Sequence, residues 1–372
     1  MTEQPSGTAH SIAALADDLS GAAEVAGVFL DHDVPLSLQL NDFRPSPGVA
    51  VVDLNTRTMT AQSAVSTIRA ALDDLPSDVL VLKKIDSLLR GHIGLEVAVL
   101  AERGPVIVVA ALPSLARTVR DGVLYIGETP LHETDAWATE PVRPPREIAE
   151  LFHGLPIDMG RIAICDAATD ADLDAVVSAA PPGAQLVGTS ALAAAVARTL
   201  PRRHQDTHER RTSKTVLVVV GSAAPNAAGQ VDALIACGAH AVTVDARALL
   251  HDKADPEPVQ RALEHGPTVV TVGGVVDPAE AQAVSAALGH FIATAQASHH
   301  PDLVLTGGET ARAVVDAIGL MAMQPVHEIH HGAVASVASD GRRIVTRPGS
   351  FGDSESLVTI VRYLTQPSED NS

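Results

Sequence analysis

Lys83-Lys84-Ile85-Asp86-Ser87-Leu88-Leu89-Arg90-Gly91-His92-Ile93-Gly94 follows the apolar run Val79-Leu80-Val81-Leu82 and precedes residues 95–100. The run reads as a buried strand, and the residues beyond the stretch read as helix. The stretch therefore occupies a strand's carboxyl end, the edge at which open α/β sheets bind ligands. It brings two ammonium groups, a guanidinium, a carboxylate and a hydroxyl, with Gly91 and Gly94 read as turn residues. Cations able to hold an acidic ligand stand beside a group able to take a proton; a charged surface loop is the bland alternative.

The same pattern recurs on either side. Residues 11–16 read as a strand ending at Asp17-Asp18, followed by Leu19-Ser20-Gly21-Ala22 and a helical pattern to Leu30. Ser20 offers itself as the helix cap, accepting a backbone N–H, and Asp is common in such turns. Residues 49–54 form a β-branched strand that runs into Asn55-Thr56-Arg57, and 61–75 carry apolar spacing suited to a helix with one buried face. Further strands are expected at 106–110, 161–165 and 185–189, a Gly-rich hairpin at 122–131, and a helix at 191–200.

From Pro201 to Lys214 the composition turns to Arg, His, Thr, Glu and Gln with almost no apolar residue, which marks a linker at about 201–214 between domains 1–205 and 214–372. Beyond it, strands at 215–220, 241–244, 268–272 and 303–305 alternate with helices at 227–236, 259–263 and 312–318. The rhythm predicts an α/β fold of two domains, each a largely parallel sheet flanked by helices. Near the C-terminus, 326–334, 336–339 and 342–346 read as strands, with an Asp340-Gly341 turn, so some antiparallel pairing is expected there. A closing helix follows Pro348-Gly349-Ser350-Phe351-Gly352-Asp353.

Composition limits the function. The chain has 372 residues, 46% of them hydrophobic but only 2% aromatic, so aromatic stacking platforms for single-stranded nucleic acid are not expected. A formal charge of −19 repels polyphosphate backbones and anionic membranes alike. A small anion remains admissible, because local cations and helix N-termini act within a Debye length of roughly 8 Å. Cys165 and Cys237 stand alone in separate halves and read as core residues. Without a leader pattern or a spanning apolar run, a cytoplasmic protein is expected.

In the second half, Thr306-Gly307-Gly308-Glu309-Thr310-Ala311 has a strand, a Gly pair and a helix start, which suits a phosphate. Gly221-Ser222 and Gly349-Ser350-Phe351-Gly352 add two more Gly-bearing turns at strand ends. Neither a P-loop nor a dinucleotide fingerprint is present. His327-Glu328-Ile329-His330-His331 matches a zinc-protease pattern, but that chemistry needs a helix, and Pro325, Gly332 and the strand-like continuation speak for a polar strand.

Several of these segments together resemble the four-carbon acid sugar kinases. Lys84-Ile85-Asp86-Ser87-Leu88-Leu89-Arg90-Gly91-His92 is similar to the family's Lys-Ile-Asp-Ser-Thr-Leu-Arg-Gly-Asn, and Asp17-Asp18-Leu19-Ser20-Gly21-Ala22 to its Asp-Asp-x-Thr-Gly-Ala. Pro130-Leu131-His132-Glu133-Thr134 and the three Gly-bearing turns also match, in family order and over nearly the whole chain. Leu88, His92, Glu24, Ala111 and Ala116 depart from the pattern, mostly in the acid-binding half. The resemblance implies an N-terminal domain for a short sugar acid, a C-terminal domain for ATP with Mg2+, and transfer of the γ-phosphoryl to a terminal hydroxyl. It implies substrate contacts from Asp17, Arg57, Lys84, Asp86, Ser87 and Arg90, and ATP contacts from Ser222, Gly307, Gly308, Glu309, Thr310 and Gly349. Asp17, Asp18 and Asp86 are equal candidates for the catalytic carboxylate, and the metal ligands stay unassigned. The partners implied are a sugar acid and ATP, with neither nucleic acid nor membrane; self-association is left open. A kinase of 3-oxotetronate or another small polyol acid is the alternative, and a non-catalytic sensor of the same ligands the second.

Overall fold

The computed structural model describes residues 11–41, 43–73, 75–138, 140, 142–203, 212–221, 227–349 and 351–367. Most of the expected linker (204–211), Ser222 and Ser350 lie outside the described residues. The chain divides into two compact units: residues 1–17 with 31–203, and 18–30 with 204–372. The division falls between the two consecutive carboxylates Asp17 and Asp18.

The elements that precede residue 204 are β1 (Ile12–Ala16), α1 (Leu19–Phe29), β2 (Leu36–Leu40), β3 (Val49–Asp53), α2 (Ala61–Asp73), β4 (Leu80–Lys84), α3 (Ile93–Arg103), β5 (Val106–Val109), β6 (Arg117–Arg120), β7 (Val123–Ile126), β8 (Thr129–Pro130), β9 (Ile162–Ile164), α4 (Asp170–Ala179), β10 (Gln185–Gly188) and α5 (Ser190–Ala197). In the first unit the strands run in the order β2-β3-β1-β4-β10-β5-β9, all parallel, while β6, β7 and β8 form a small antiparallel sheet. β1 and β3 are buried at every position, as both faces of a parallel sheet covered by helices require. α2 buries one stripe, Ala64, Ile68, Ala71 and Leu72, at the spacing that a single apolar face predicts.

Chain order reverses around β1, with β3 on one side and β4 on the other. That is a topological switch point, where loops on the carboxyl edge diverge and leave a crevice. The loops after β1, β3 and β4 carry Asp17, Arg57 and the stretch ending in Arg90.

The second unit contains α1 together with β11 (Val216–Val220), α6 (Ala227–Ala236), β12 (His240–Asp245), α7 (Ala246–Leu250), α8 (Glu257–His265), β13 (Thr268–Gly273), α9 (Ala281–Gln296), β14 (Asp302–Thr306), α10 (Gly308–Ala317), β15 (Ala322–His330), β16 (Ala333–Ala338), β17 (Arg343–Arg347) and α11 (Ser356–Thr365). The order is β12-β13-β11-β14-β17-β16-β15, parallel through β17 and antiparallel from β17 to β15. β13 and β14 flank β11, so the carboxyl ends of β11 and β14 lie side by side at a second switch point.

Several expectations need correction. β4 does not stop at Leu82: Lys83 and Lys84 continue the ladder, Lys84 pairing with Ala16 on one side and Gly188 on the other. Lys83 can be buried because Glu96 from α3 meets it at 3.1 Å. Gly94 belongs to the first turn of α3, where a Cβ would overlap the Leu151 carbonyl oxygen; it permits close packing and makes no turn. α10 begins at Gly308, four residues earlier than its apolar spacing suggested. Residues 326–334 are two strands, since β15 ends at His330 and Gly332, at φ +76°, turns the chain into β16. β2, α4 and α9 carry no expectation from the sequence. α9 reads AQAVSAALGHFIATAQ, and its small residues leave little amplitude for a helical period to show.

Candidate functional site

At the first switch point, the extended backbone of β1 ends at Asp17, 3% exposed, whose Oδ2 accepts from Arg57 Nε at 2.9 Å. Arg57 sits in a short 3-10 turn that Asn55 initiates in the left-handed region at φ +51°. Its backbone N–H also donates to the Asp17 carbonyl at 3.2 Å, so side chain and main chain hold the two loops in one register. Gly91, at φ +93°, passes so close that a Cβ would stand 3.6 Å from both Asp17 Oδ2 and the Arg57 side chain.

Asp86 accepts from Arg90 Nε at 2.8 Å and Nη2 at 2.9 Å, and from the Leu88 and Arg90 backbone N–H groups at 3.1 and 3.2 Å. Arg57 Nη2 lies 3.6 Å from its other oxygen. Burial works to raise this carboxyl, but the Arg90 hydrogen bonds and the charges of Arg57, Arg90 and Lys84 outweigh it and hold the group well below the usual carboxylate range. Asp17 shows the same contest. Burial raises it, while Arg57, Lys83 and Lys84 prevail and lower it. Asp17 and Asp86 are thus anions among cations.

The three carboxylates differ in what remains open to a ligand. Both Asp86 oxygens are occupied by Arg90. Asp18 caps α1, its Oδ1 accepting from the Gly21 N–H at 2.7 Å; the capping role expected of Ser20 belongs to Asp18, because the helix starts at Leu19. Asp17 Oδ1 is buried with no hydrogen-bond partner among the described residues.

Around this cluster stand residues that the sequence did not single out. Glu96 joins Lys83 to the hydroxyl of Thr56, which precedes Arg57, and so ties β4 to the Arg57 turn beneath the surface. Arg117 on β6 donates to Ser87 Oγ, and Trp137 Nε1 donates to the Leu88 carbonyl at 2.7 Å. These contacts come from segments 30 to 49 residues away in the chain, so no local pattern could have announced them. Lys84 Nζ donates to the Ile85 carbonyl at 3.0 Å. His92, one of the family departures, turns its ring Nε2 to the Met59 carbonyl at 2.7 Å.

The second switch point is organised by α10. Gly307, at φ +92°, occupies its N-cap, with no side chain capping the first turn, so backbone N–H groups remain to meet an anion. A Cβ on Gly221 would overlap the Thr310 hydroxyl, which is why a glycine must follow β11. Gly349 lies in the turn after β17, and Glu309 is exposed on the first turn of α10. The structure therefore brings Gly307, Gly308, Glu309 and Thr310 to one helix start.

Arg347, the last residue of β17, anchors these turns from beneath and was also missed. Fully buried, it donates to Thr306 Oγ1 at 3.3 Å, the Phe351 carbonyl at 2.6 Å and Ser356 Oγ at 2.9 Å. Burial pulls its guanidinium down to about 10. The His327–His331 segment is strand β15 and its following turn, so His327 and His331 share no helix face. No helix among the described residues is long and apolar enough to cross a membrane.

A family model described as a sugar-binding N-terminal domain matches residues 12–153, and one described as a nucleotide-binding C-terminal domain matches 217–357. The chain is 28% identical to a D-threonate kinase from Bordetella bronchiseptica, over 95% of this chain and 98% of that protein. It is 28% identical to a D-erythronate kinase from Heliobacterium modesticaldum (95% and 97% covered) and 27% identical to a 3-oxo-tetronate kinase from Cupriavidus necator (94% and 96%). Among solved structures, a Salmonella typhimurium LT2 protein aligns with a TM-score of 0.76 at 21% identity over 95% of this chain and all of the other. A Haemophilus influenzae protein aligns at 0.70 and 18% over 93% and 98%; the two structures speak to the fold alone.

Proposed function

The chain belongs to the four-carbon acid sugar kinase family, and from that premise we propose that it transfers the γ-phosphoryl group of ATP to the terminal hydroxyl of a four-carbon sugar acid. Residues 1–205 supply the acid's binding groups and residues 214–372 the nucleotide's, with α1 serving the second set. The observation that carries the reading is the buried, unpartnered Asp17 Oδ1 among Arg57, Lys84 and the Arg90–Asp86 pair. A carboxylate oxygen without a partner in a cationic crevice suits a ligand that brings both an anion and a hydroxyl.

Arg57, Arg90 and Lys84 provide the field that holds the acid's carboxylate, and Arg suits it because its planar fork can bond both oxygens. Asp17 Oδ1 accepts the hydrogen bond of the attacking hydroxyl and fixes its direction. Held below the usual carboxylate range, Asp17 is a weak base. It therefore orients the alcohol, whose proton leaves late, as a loose phosphoryl-transfer transition state allows. Asp86 aligns Arg90 and Arg57. Gly307, Gly308, Glu309, Thr310, Gly349 and Ser222 form the ATP contacts, the α10 N–H groups favouring phosphate charge.

Mg2+ neutralises phosphate charge when bound. Asp18 fits it by chemistry, a hard carboxylate donor whose Oδ2 borders the start of α10. Among this chain's residues it is the one we assign to hold the ion.

A coupled ADP-release assay with D-threonate, D-erythronate and 3-oxotetronate tests the reaction and assigns the acid. ADP release that none of these acids stimulates, from protein that binds ATP, would point to a sensor.

A further inference from the structure

Ser20 is 4% exposed, lies in the first turn of α1, and has an Oγ with no hydrogen-bond partner among the described residues. Buried hydroxyls are almost always paired, so an orphan calls for an explanation. Capping does not supply one, because Asp18 already caps this helix. The surroundings do. A Cβ placed on Gly308 would lie 3.2 Å from Ser20 Oγ and 3.0 Å from Asp18 Oδ2, so the hydroxyl abuts the start of α10, a helix of ten residues whose N-cap glycine leaves the first-turn N–H groups without a side-chain partner. An orphan donor and uncapped backbone donors thus converge on one place, within the second unit.

We infer that Ser20 is a phosphate-binding residue: its Oγ–H donates to a terminal phosphate oxygen of ATP held at the N-terminus of α10. This rests on the nucleotide reading above and extends it to a residue that sequence order places in the acid-binding half. The hydroxyl complements the helix N–H groups, and Gly308 is required because any side chain would fill the space they share. Asp18 beside them places a negative charge at the rim, which favours a cation-bound polyphosphate over a bare anion. The resembling family pattern carries Thr at this position, a residue with the same donor.

The test uses the full chain without acid, titrated with ATP–Mg2+ and separately with adenosine, for wild type, Ser20→Ala and Ser20→Thr, with melting temperatures of the ligand-free proteins. Ser20→Ala is nearly isosteric and removes a hydrogen bond to a charged group. It is expected to weaken ATP about ten- to hundredfold, leave adenosine unchanged, and leave melting equal or higher, since an unpaired buried hydroxyl is lost. Ser20→Thr is expected to keep ATP within a few-fold of wild type, which also holds if the Ala variant folds poorly. Equal ATP affinity in Ser20→Ala and wild type would overturn this assignment and leave the nucleotide reading standing. Equal losses for ATP and adenosine, or a lowered ligand-free melting point, would make Ser20 a packing residue. A wild-type protein that binds no ATP would overturn the assignment and the nucleotide reading together.

Discussion

Asp17→Asn and Asp86→Asn separate orientation of the substrate from alignment of the arginines. Asp86 receives four hydrogen bonds, two from the Arg90 guanidinium. Losing its charge breaks an ion pair whose carboxylate side chain is 9% exposed, but Arg90 is 32% exposed, so solvent screening reduces the cost. About 2–3 kcal/mol is expected, below the figure for a fully buried pair. For a unit of this size that lowers melting by roughly 4–12 °C. Asp17 loses one charge-assisted bond, to Arg57, while its orphaned Oδ1 was unsatisfied to begin with; about 1 kcal/mol and roughly 2–4 °C are expected. Catalysis should rank the other way. Asp17→Asn lowers kcat by about 10²–10⁴, whereas Asp86→Asn stays within roughly tenfold per folded molecule. Calorimetric melting and steady-state ADP release with the acid found active measure both. Unshifted melting in Asp86→Asn, combined with a larger kcat loss than in Asp17→Asn, would refute the ranking and return the orienting role to Asp86.

Arg57→Ala removes the bond to Asp17 and a cation of the cluster, and is expected to weaken the acid by about 1.5–3 kcal/mol with ATP nearly unaffected; separate titrations check it. Asp17 and Asp86 both have carboxyls lowered from 3.8, so the stability they contribute is present above that pH and is lost as pH falls below it. Urea titrations between pH 6 and 3 should show wild type weakening near the acid end and Asp86→Asn changing less. Residues 214–372 expressed alone lack α1, which buries ten of its eleven residues and packs Gly27 against Val334. That fragment is expected to melt lower and bind an apolar dye, and restoring residues 18–30 as a fused segment should reverse both; a stable fragment without them would show that α1 is dispensable.

Sequence alone determined the βα rhythm, the mostly parallel strands and the loops that end them. Runs such as Val216–Val220 are apolar at every position, and only a strand covered on both faces tolerates that. The glycines at 307 and 308 were legible for the same kind of reason, since few residues but glycine permit a positive φ and a close approach before a helix. Tertiary structure decided what chain order could not express. Three aspartates of equal standing became a carboxylate held by Arg57 with one oxygen unpartnered, a helix cap and an arginine clamp; the cap and the clamp draw on partners close in the chain, whereas Arg57 reaches Asp17 only through the fold. Burial of Lys83 depended on Glu96, the anchoring of the last turn on Arg347, and the unit to which α1 belongs on a face of small residues packing against β16 and α10. Local pattern records which face of an element is apolar; it carries no record of which other element covers that face, and the surroundings of Ser20 at the start of α10 follow from that cover.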